Sequence, residues 1–179
     1  MQLEQAGAGD LAAIASLMNR AYRGVGPDAG WTGEASYIEG ERTSVAMLAA
    51  DIAAKPGATL LVSRGAPGAA IAGTVWLEPF DGGTWYLGSL TVDPALQNTG
   101  TGRRLLAAAE ESVRAQGGGR VRMTVVNVRD TLIAWYVRRG YRLTGEIEPW
   151  PYDDNRFGIP KRGDLAFVVL DKALGRPSA

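Results

Sequence analysis

The chain has 179 residues, 46% of them hydrophobic and 21% charged, and its 19 basic side chains balance its 19 acidic ones. This length suits one domain with its own core, and a net charge of zero gives no reason to expect nucleic acid as a partner. The absence of cysteine and histidine excludes disulfides, thiol nucleophiles, Ser-His-Asp triads and metal sites with thiolate or imidazole ligands. Carboxylates alone could still hold magnesium or calcium, but no calcium-loop pattern is present, so we expect no metal.

The N-terminal residues do not resemble a secretory signal, because no basic region precedes an apolar stretch. No run of 18 apolar residues occurs, so no membrane-spanning segment is expected. We therefore expect a cytoplasmic protein that has no membrane as a partner.

The first half of the chain alternates helical and extended patterns. The predicted elements are a strand at 2–6, a helix that Asp10 caps, a loop at 24–33, a helix at 43–54, and strands at 59–63, 70–77 and 85–92. The second helix is expected to bury Val45, Leu48, Ala49 and Ile52. Turn residues at 65–68 and 81–83 separate the strands, which predicts antiparallel hairpins.

The second half supplies the remaining elements. They are a helix at 102–116, a strand at 120–126, a short helix from Asp130 or Thr131 to Arg139, a strand at 141–147, a loop at 148–163 and a strand at 165–170. The strand-helix-strand unit at 85–126 predicts a parallel crossover. The last strand is apolar on both faces and is expected in the sheet interior. We expect one domain over 1–174 and a frayed tail at 175–179.

A glycine-containing loop lies between a strand and a helix at Gln97-Asn98-Thr99-Gly100-Thr101-Gly102. The first turn of a helix leaves amide N–H groups without intrahelical partners, and the helix dipole adds a partial positive charge there. Gly100 and Gly102 would let a phosphate approach the backbone, and Arg103 and Arg104 could add charged contacts. The loop is therefore a candidate pyrophosphate site, although the same pattern also serves as a plain cap and turn. It matches neither a Walker loop nor the dinucleotide fingerprint.

The loop and its neighbours resemble the GNAT acetyltransferase superfamily. The loop is similar to the family's Gln/Arg-x-x-Gly-x-Gly/Ala pattern, and Leu90-Thr91-Val92-Asp93-Pro94 is similar to its preceding strand end. Asn127 follows a strand as the family's Asn does, and the segment 134–141 resembles Ala-x-Phe-Tyr-x-x-Gly-Phe. The resemblance implies an α/β (α+β) fold, with a mixed, mostly antiparallel twisted sheet of about seven strands, helices on both faces and a V-shaped split between central strands.

The resemblance also implies a binding site for acetyl-CoA as cosubstrate. Amides of 99–103 would hold the pyrophosphate, and the strand edge at 90–92 would pair with the pantetheine arm. The split would lie between the strands at 85–92 and 120–126. The implied cofactor residues are Leu90, Thr91, Val92, Gln97, Asn98, Thr99, Gly100, Thr101, Gly102, Arg103 and Asn127. For Asn127, the residues alone equally allow a structural turn.

The reaction that the resemblance implies is direct attack of a neutral amine on the thioester. Tyr136 occupies the position of the family's general acid, and a phenol with an ordinary pKa of about 10 is protonated near neutral pH. A packed aromatic side chain is the alternative. The family's glutamate base would fall at Tyr86, so the base stays open among Glu34, Glu78, Glu146, Glu148 and a water chain ending at backbone carbonyls or Ser89.

The resemblance also implies an acceptor pocket built from the first two helices and late loops, which here means the acceptor loops at 31–34, with Arg42, and at 150–154. Its candidate residues are Trp31, Glu34, Tyr86 and Trp150. Aromatic rings with carboxylates would favour a cationic acceptor, whereas Arg42, Arg156, Lys161 and Arg162 would favour an anionic one. Both loops could equally be capping segments. We expect an N-acetyltransferase acting on a small-molecule or peptide amine, with a non-catalytic acyl-CoA-binding domain as the alternative, and we leave a homodimer open.

Overall fold

A computed structural model describes residues 1–26, 29–66 and 68–175 of the chain. Of the predicted tail at 175–179, only Gly175 falls within this range. The predicted loop at 24–33 and turn at 65–68 also include three residues outside the described ones, namely Pro27, Asp28 and Pro67.

The described residues form four α-helices and nine strands. The helices are α1 (Leu11–Arg23), α2 (Val45–Ala54), α3 (Thr101–Ala115) and α4 (Asp130–Val137). The strands are β1 (Glu4–Gln5), β2 (Ile38–Glu39), β3 (Thr59–Arg64), β4 (Ile71–Pro79), β5 (Thr84–Val92), β6 (Arg120–Val126), β7 (Arg142–Pro149), β8 (Ile159–Pro160) and β9 (Ala166–Ala173). None of the helices in the described part is long and apolar enough to cross a membrane.

Seven strands form one sheet in the order β1-β3-β4-β5-β6-β9-β7, and all neighbours are antiparallel except β5 and β6. The predicted mixed sheet and the interior position of the last strand are confirmed. A second sheet pairs β2 with β8. It was not predicted, because two-residue strands carry no periodicity of their own.

The parallel pair separates soon after it begins. Strand β5 pairs with β6 only over Thr84–Tyr86, opposite Arg120–Arg122, whereas β6 continues beside β9 as far as Val126. On its other side, β5 shifts register against β4 between Thr74 and Trp76, and Ser89 adopts a positive φ of 49° within this bulge. The predicted V-shaped split is therefore present, and one side of β5 is left without a strand partner among the described residues.

Helices cover both faces of the sheet. Strand residues alternate between the faces, so Val75 and Leu77 pack with α3 and α4, whereas Trp76 packs with α1 and α2. The core of the first face includes Leu105, Leu106, Ala109, Val113 and Tyr136, and that of the second includes Leu11, Ile14, Leu17, Met18 and Leu48.

Two local predictions were wrong. Of the expected apolar stripe on α2, only Leu48 is buried, and Val45 is 46% exposed. Leu48 and the partly buried Ile52 contact the core of the second face, whereas Val45 and Ala49 are exposed, and Met47, Leu48 and Asp51 also line a cavity. Asp10 does not cap α1 with its side chain; its carboxylate accepts the N–H of Gly7 and so closes a short 3-10 turn before the helix.

Candidate active site

A cavity of about 1350 Å³ opens at the split between β5 and β6. Its wall includes α1 and α2 at one end and the first turn of α3 with α4 at the other. This volume exceeds that of a typical small-ligand pocket, so the cavity has room for a large cosubstrate and a second small molecule together. We call the end at α3 and α4 the cofactor end and the end at α1 and α2 the acceptor end, after the roles expected from the sequence. The two ends are built in different ways.

The cofactor end is formed by the chain entering α3. Asn98 and Gly100 take left-handed backbone conformations with φ of 63° and 82°, and this pair of turns directs the chain into the helix. The first backbone N–H to make an intrahelical hydrogen bond is that of Arg104, which donates to the Gly100 carbonyl. The amides of 101–103 therefore have no intrahelical partner and, with the helix dipole, can bind an anion.

The predicted cofactor residues divide into two groups. The cavity wall includes Leu90, Val92, Gln97, Asn98, Gly100, Gly102 and Arg103. Three threonines are turned away from it. Thr91 is buried and donates to the Ser89 carbonyl, while the Thr99 and Thr101 hydroxyls lie 2.8 Å apart and bond to each other. These threonines shape the loop, and only their backbone is left for a ligand.

Gln97 ties the two ends of the cavity together. Its side-chain oxygen accepts the N–H of Trp31 at 2.9 Å, and its amide nitrogen donates to the Thr32 hydroxyl at 3.3 Å. The close approach requires glycine at position 30, because a Cβ there would lie 2.5 Å from the Gln97 amide. The first residue of the glycine loop thus positions the acceptor loop, a contact that the sequence did not predict.

Asn127 has a structural position. Its amide nitrogen donates to the Asp164 carbonyl at 2.9 Å, and its side-chain oxygen accepts the N–H of Ala166 at 3.0 Å. Both polar groups are thereby used to join the end of β6 to the start of β9, and the residue is absent from the cavity wall. This geometry favours the turn role left open above over a direct contact of the side chain with the cofactor.

Tyr136 lies on α4 and reaches the cavity from the first face of the sheet. It is 5% exposed and packs edge-to-face on Trp135 and Tyr141, with ring centroids 5.0 and 5.6 Å away. Its hydroxyl makes no hydrogen bond with the described residues. Burial disfavours the phenolate and raises the pKa of Tyr136 well above its ordinary value. The side chain is thus a phenol that stays protonated and has a proton to donate.

Tyr86 spans the base of the split. Its ring lies over Gly88, where a Cβ would come within 2.8 Å of the ring, and its hydroxyl is 3.0 Å from that of Thr124 on β6. Burial raises the pKa of Tyr86. Because the phenol stays neutral, it closes the gap with a hydrogen bond and offers no base at the position of the family's glutamate.

All four glutamates considered as bases are ion-paired. Glu78 accepts from Lys55 at 2.8 Å, and Glu146 and Glu148 both contact Arg122. Glu34 is 4% exposed and lies between Arg23 and Arg129, the latter 2.8 Å away. Because each of these carboxylates is already engaged by a cation of the protein, the geometry singles out none of them as the base.

The Glu34 ion-pair triad, formed by Glu34, Arg23 and Arg129, builds the acceptor end. Arg129 precedes α4 and also donates to the Thr32 carbonyl at 2.5 Å. Arg23 ends α1 and donates to the carbonyls of Gly40 and Phe157 at 3.1 and 2.7 Å. The triad therefore joins several distant loops. Glu34 was a candidate from the sequence, but no local pattern predicted its two partners.

Aromatic side chains complete the acceptor end. Trp31 is 41% exposed and packs against Trp135, with ring centroids 6.5 Å apart. Trp150 is 4% exposed and stacks on Phe167 at 5.0 Å. The indole N–H of Trp150 is buried without a hydrogen-bond partner among the described residues. Trp31, Glu34, Tyr86 and Trp150 all line the cavity.

Comparisons with known proteins agree with this architecture. No curated protein sequence matches the chain. The structure is similar to a putative phosphinothricin N-acetyltransferase, with a TM-score of 0.71, 15% identity and coverage of 98% of this chain and 99% of that one. It is also similar to the PaiA N-acetyltransferase of Thermoplasma acidophilum, solved in complex with coenzyme A, with a TM-score of 0.69, 16% identity and coverage of 97% and 98%.

A third similar structure is the ribosomal-protein-S18-alanine N-acetyltransferase of Escherichia coli, with a TM-score of 0.68, 14% identity and coverage of 99% of this chain and 96% of that one. At such identities these likenesses show the fold. The sequence itself matches the model of the acetyltransferase (GNAT) family over residues 13–141, which includes the split, the glycine loop and α4. The chain therefore belongs to the GNAT acetyltransferase family.

Proposed function

We propose that this protein transfers an acetyl group from acetyl-CoA to a primary amine of a small molecule or peptide, by direct attack of the amine on the thioester. The observation that carries the proposal is the convergence of three features on one cavity. These are the unpartnered edge of β5, the free amides that begin α3 and the protonated phenol of Tyr136.

The residues at the cofactor end fit acetyl-CoA, which supplies the activated acetyl group when bound. Backbone amides of 101–103 and the guanidinium of Arg103 would hold the pyrophosphate. The edge of β5 beyond Tyr86 would pair with the amide groups of the pantetheine arm, in the manner of an added strand. A backbone N–H of this edge would also polarise the thioester carbonyl.

Tyr136 acts as the general acid in this proposal. Its raised pKa keeps the phenol protonated, so it can donate a proton to the leaving thiolate. Because the glutamates at the acceptor end are ion-paired, we assign removal of the amine proton to solvent water. On the acidic side of the pH–rate profile, the midpoint of the rise in rate should then follow the pKa of the acceptor amine. At pH values below about 10, ionisation of Tyr136 should not lower the rate.

Release of coenzyme A gives a direct test. The protein contains no cysteine, so every thiol detected after mixing it with acetyl-CoA and an amine comes from the cofactor. We expect amine-dependent thiol release, and Tyr136→Phe should lower kcat by at least about 100-fold without weakening CoA binding. Tyr141→Phe is the matched control, because this buried phenol bonds to Glu110 and lies outside the cavity wall; its kcat should stay close to wild type.

Two results would contradict the proposal. If tight CoA binding came with no thiol release for any amine, the non-catalytic acyl-CoA-binding alternative would be favoured. If Tyr136→Phe and Tyr141→Phe had equal activity at every pH, Tyr136 would be a packing residue.

A further inference from the structure

The carboxylates at the acceptor end are already neutralised by cations of the protein. The pairs are Glu34 with Arg23 and Arg129, Asp51 with Arg156, Glu78 with Lys55, and Glu148 with Arg122. Two further cations that were candidates for binding an anionic acceptor also have partners within the protein. Arg162 pairs with Asp164, and Lys161 donates to the Ala35 carbonyl. These pairs leave little negative charge for a cationic group of a substrate.

Arg42 differs from these cations. It is half-buried in the cavity wall, and its guanidinium makes no ion pair or hydrogen bond with the described residues. Instead it lies over two rings, 5.2 Å from the centroid of Tyr22 and 5.8 Å from that of Phe157. Cation–π contacts hold the group in place and leave its five N–H donors available.

The backbone of Arg42 is fixed as well. The side-chain oxygen of Asn19, on α1, accepts the N–H groups of Arg42 and Thr43 at 2.6 and 3.2 Å. The amide nitrogen of Asn19 donates to the Thr43 carbonyl at 2.8 Å. Since both the backbone and the guanidinium are held before any ligand arrives, binding an anion would cost little conformational entropy.

Arg42 also lies near the reaction centre. The hydroxyl of Tyr22, over whose ring the guanidinium sits, donates to the Leu90 carbonyl at 3.3 Å, at the split edge of β5. Burial raises the pKa of Tyr86, and the positive charge of Arg42 acts against this rise, which places the charge close to the base of the split. An anion on Arg42 is therefore about one tyrosine side chain away from the strand edge that would hold the thioester.

We infer that the acceptor amine carries a carboxylate a few bonds from its amino group, as an amino acid does, and that Arg42 binds this carboxylate. The planar guanidinium matches a carboxylate in geometry and in its single charge, whereas a phosphate dianion would need a second cation. The inference rests on the proposed acetyl transfer and adds the class of acceptor to it. It also addresses the conflict of charges in the sequence, because Arg156 and Arg162 are ion-paired and Lys161 donates to a backbone carbonyl, whereas the guanidinium of Arg42 has no such partner among the described residues.

The test uses thiol release with pairs of acceptors in which a carboxylate is replaced by its carboxamide, and kcat/KM is calculated on the concentration of free amine because the two members of a pair differ in the pKa of the amine. Glycine, β-alanine, 4-aminobutyrate, methionine and glutamate are each compared with the corresponding carboxamide. We expect kcat/KM to be at least roughly tenfold higher for the best carboxylate than for its carboxamide, because only the carboxylate makes charge-assisted hydrogen bonds. Arg42→Gln should lower kcat/KM for that carboxylate by roughly 10- to 100-fold, mainly through KM, and change the carboxamide little.

Lys161→Gln is the matched control. It removes the same charge from a neighbouring loop outside the cavity wall and should leave both acceptors unchanged. An increase in Tm with CoA, equal to that of the wild type, shows that Arg42→Gln is folded.

The outcomes separate the two proposals. If no amine releases thiol, the acetyltransferase proposal fails. If thiol is released equally fast with carboxylates and carboxamides, or if Arg42→Gln slows both alike, acetyl transfer stands and the inference about Arg42 is wrong. A clear preference for phosphoethanolamine over every carboxylate would overturn it too.

Discussion

The two ends of the cavity differ in how their geometry is encoded. The cofactor end comes from one continuous stretch, from β5 through the glycine loop and α3 to α4. The acceptor end depends on contacts between side chains that are far apart in the chain. Arg129 and Glu34 are separated by 95 residues, Arg23 and Phe157 by 134, and Gln97 and Trp31 by 66.

This difference has a physical basis. The cofactor end offers mainly backbone groups, whose direction is set by local conformation at Gly100 and in the bulge at Ser89. Backbone donors can be kept while the surrounding side chains change. The acceptor end offers side chains fixed by ion pairs and rings, so substitutions at a few positions would change its charge. A family can therefore keep one donor of the acetyl group and vary the acceptor.

The largest effect is expected from Glu34→Gln. It would leave Arg23 and Arg129, with side-chain exposures of 8% and 9%, buried beside a neutral amide. Removing one partner of such a buried pair costs about 3–5 kcal/mol, so we expect a fall of this size in the free energy of unfolding, measured in urea. CoA affinity of the protein that remains folded should change little, because the cofactor end has its own local contacts.

The surface pair Arg20–Asp93 is the control for Glu34. Its ions lie 3.0 Å apart, but the Arg20 side chain is 47% exposed, so Arg20→Gln should cost less than about 1 kcal/mol. Equal costs for Glu34→Gln and Arg20→Gln would mean that the Glu34 ion-pair triad does not hold the acceptor end together.

A smaller effect, confined to the cofactor end, is expected from Gly102→Val. A Cβ at this position would meet Trp135 at 3.5 Å and Val92 at 3.7 Å, which are ordinary contacts, and a Tm equal to that of the wild type would show that the fold also tolerates the two methyl groups of valine. The side chain would enter the cavity beside the free amides, and loss of one or two charge-assisted hydrogen bonds should weaken CoA binding by roughly 10- to 100-fold, as measured by calorimetry.

Gly100→Ala provides the contrast with Gly102→Val. Its Cβ would meet nothing within 4 Å, but a φ of 82° costs an L-residue roughly 1–2 kcal/mol, so stability should fall. Unchanged CoA affinity in Gly102→Val would rule out the placement of the pyrophosphate.

Much of the fold could be predicted from local patterns. The parallel crossover followed from the strand-helix-strand unit at 85–126, and the interior place of β9 followed from its apolar residues on both faces. The face of α2 could not be predicted, because Val45 and Leu48 have equal apolar character. What distinguishes them is that Leu48 contacts the core of the second face, which elements remote in the chain form, and Val45 does not.

In the candidate site, too, the parts that follow local sequence patterns could be predicted and the parts that depend on remote contacts could not. The glycine loop and Tyr136 lie in sequence patterns, and the structure brings both to the cavity wall. The ion pairs of Glu34 and the isolation of Arg42 were not predictable, because the sign of a pocket depends on which charges neutralise each other in space. Counting acidic and basic residues in the acceptor loops gave a conflict that only the pairing distances could resolve.

The smallest effect is expected from Asn127→Ala, which tests where the boundary between the two ends lies. The sequence pattern assigns Asn127 to the cofactor, but its side chain bonds to Asp164 and Ala166, at the start of β9. Loss of these two hydrogen bonds should lower the free energy of unfolding by about 1–2 kcal/mol. CoA affinity should stay within about twofold of wild type, a change of about 0.4 kcal/mol, because the residue is absent from the cavity wall. A selective loss of CoA affinity with unchanged stability would instead return Asn127 to the cofactor end.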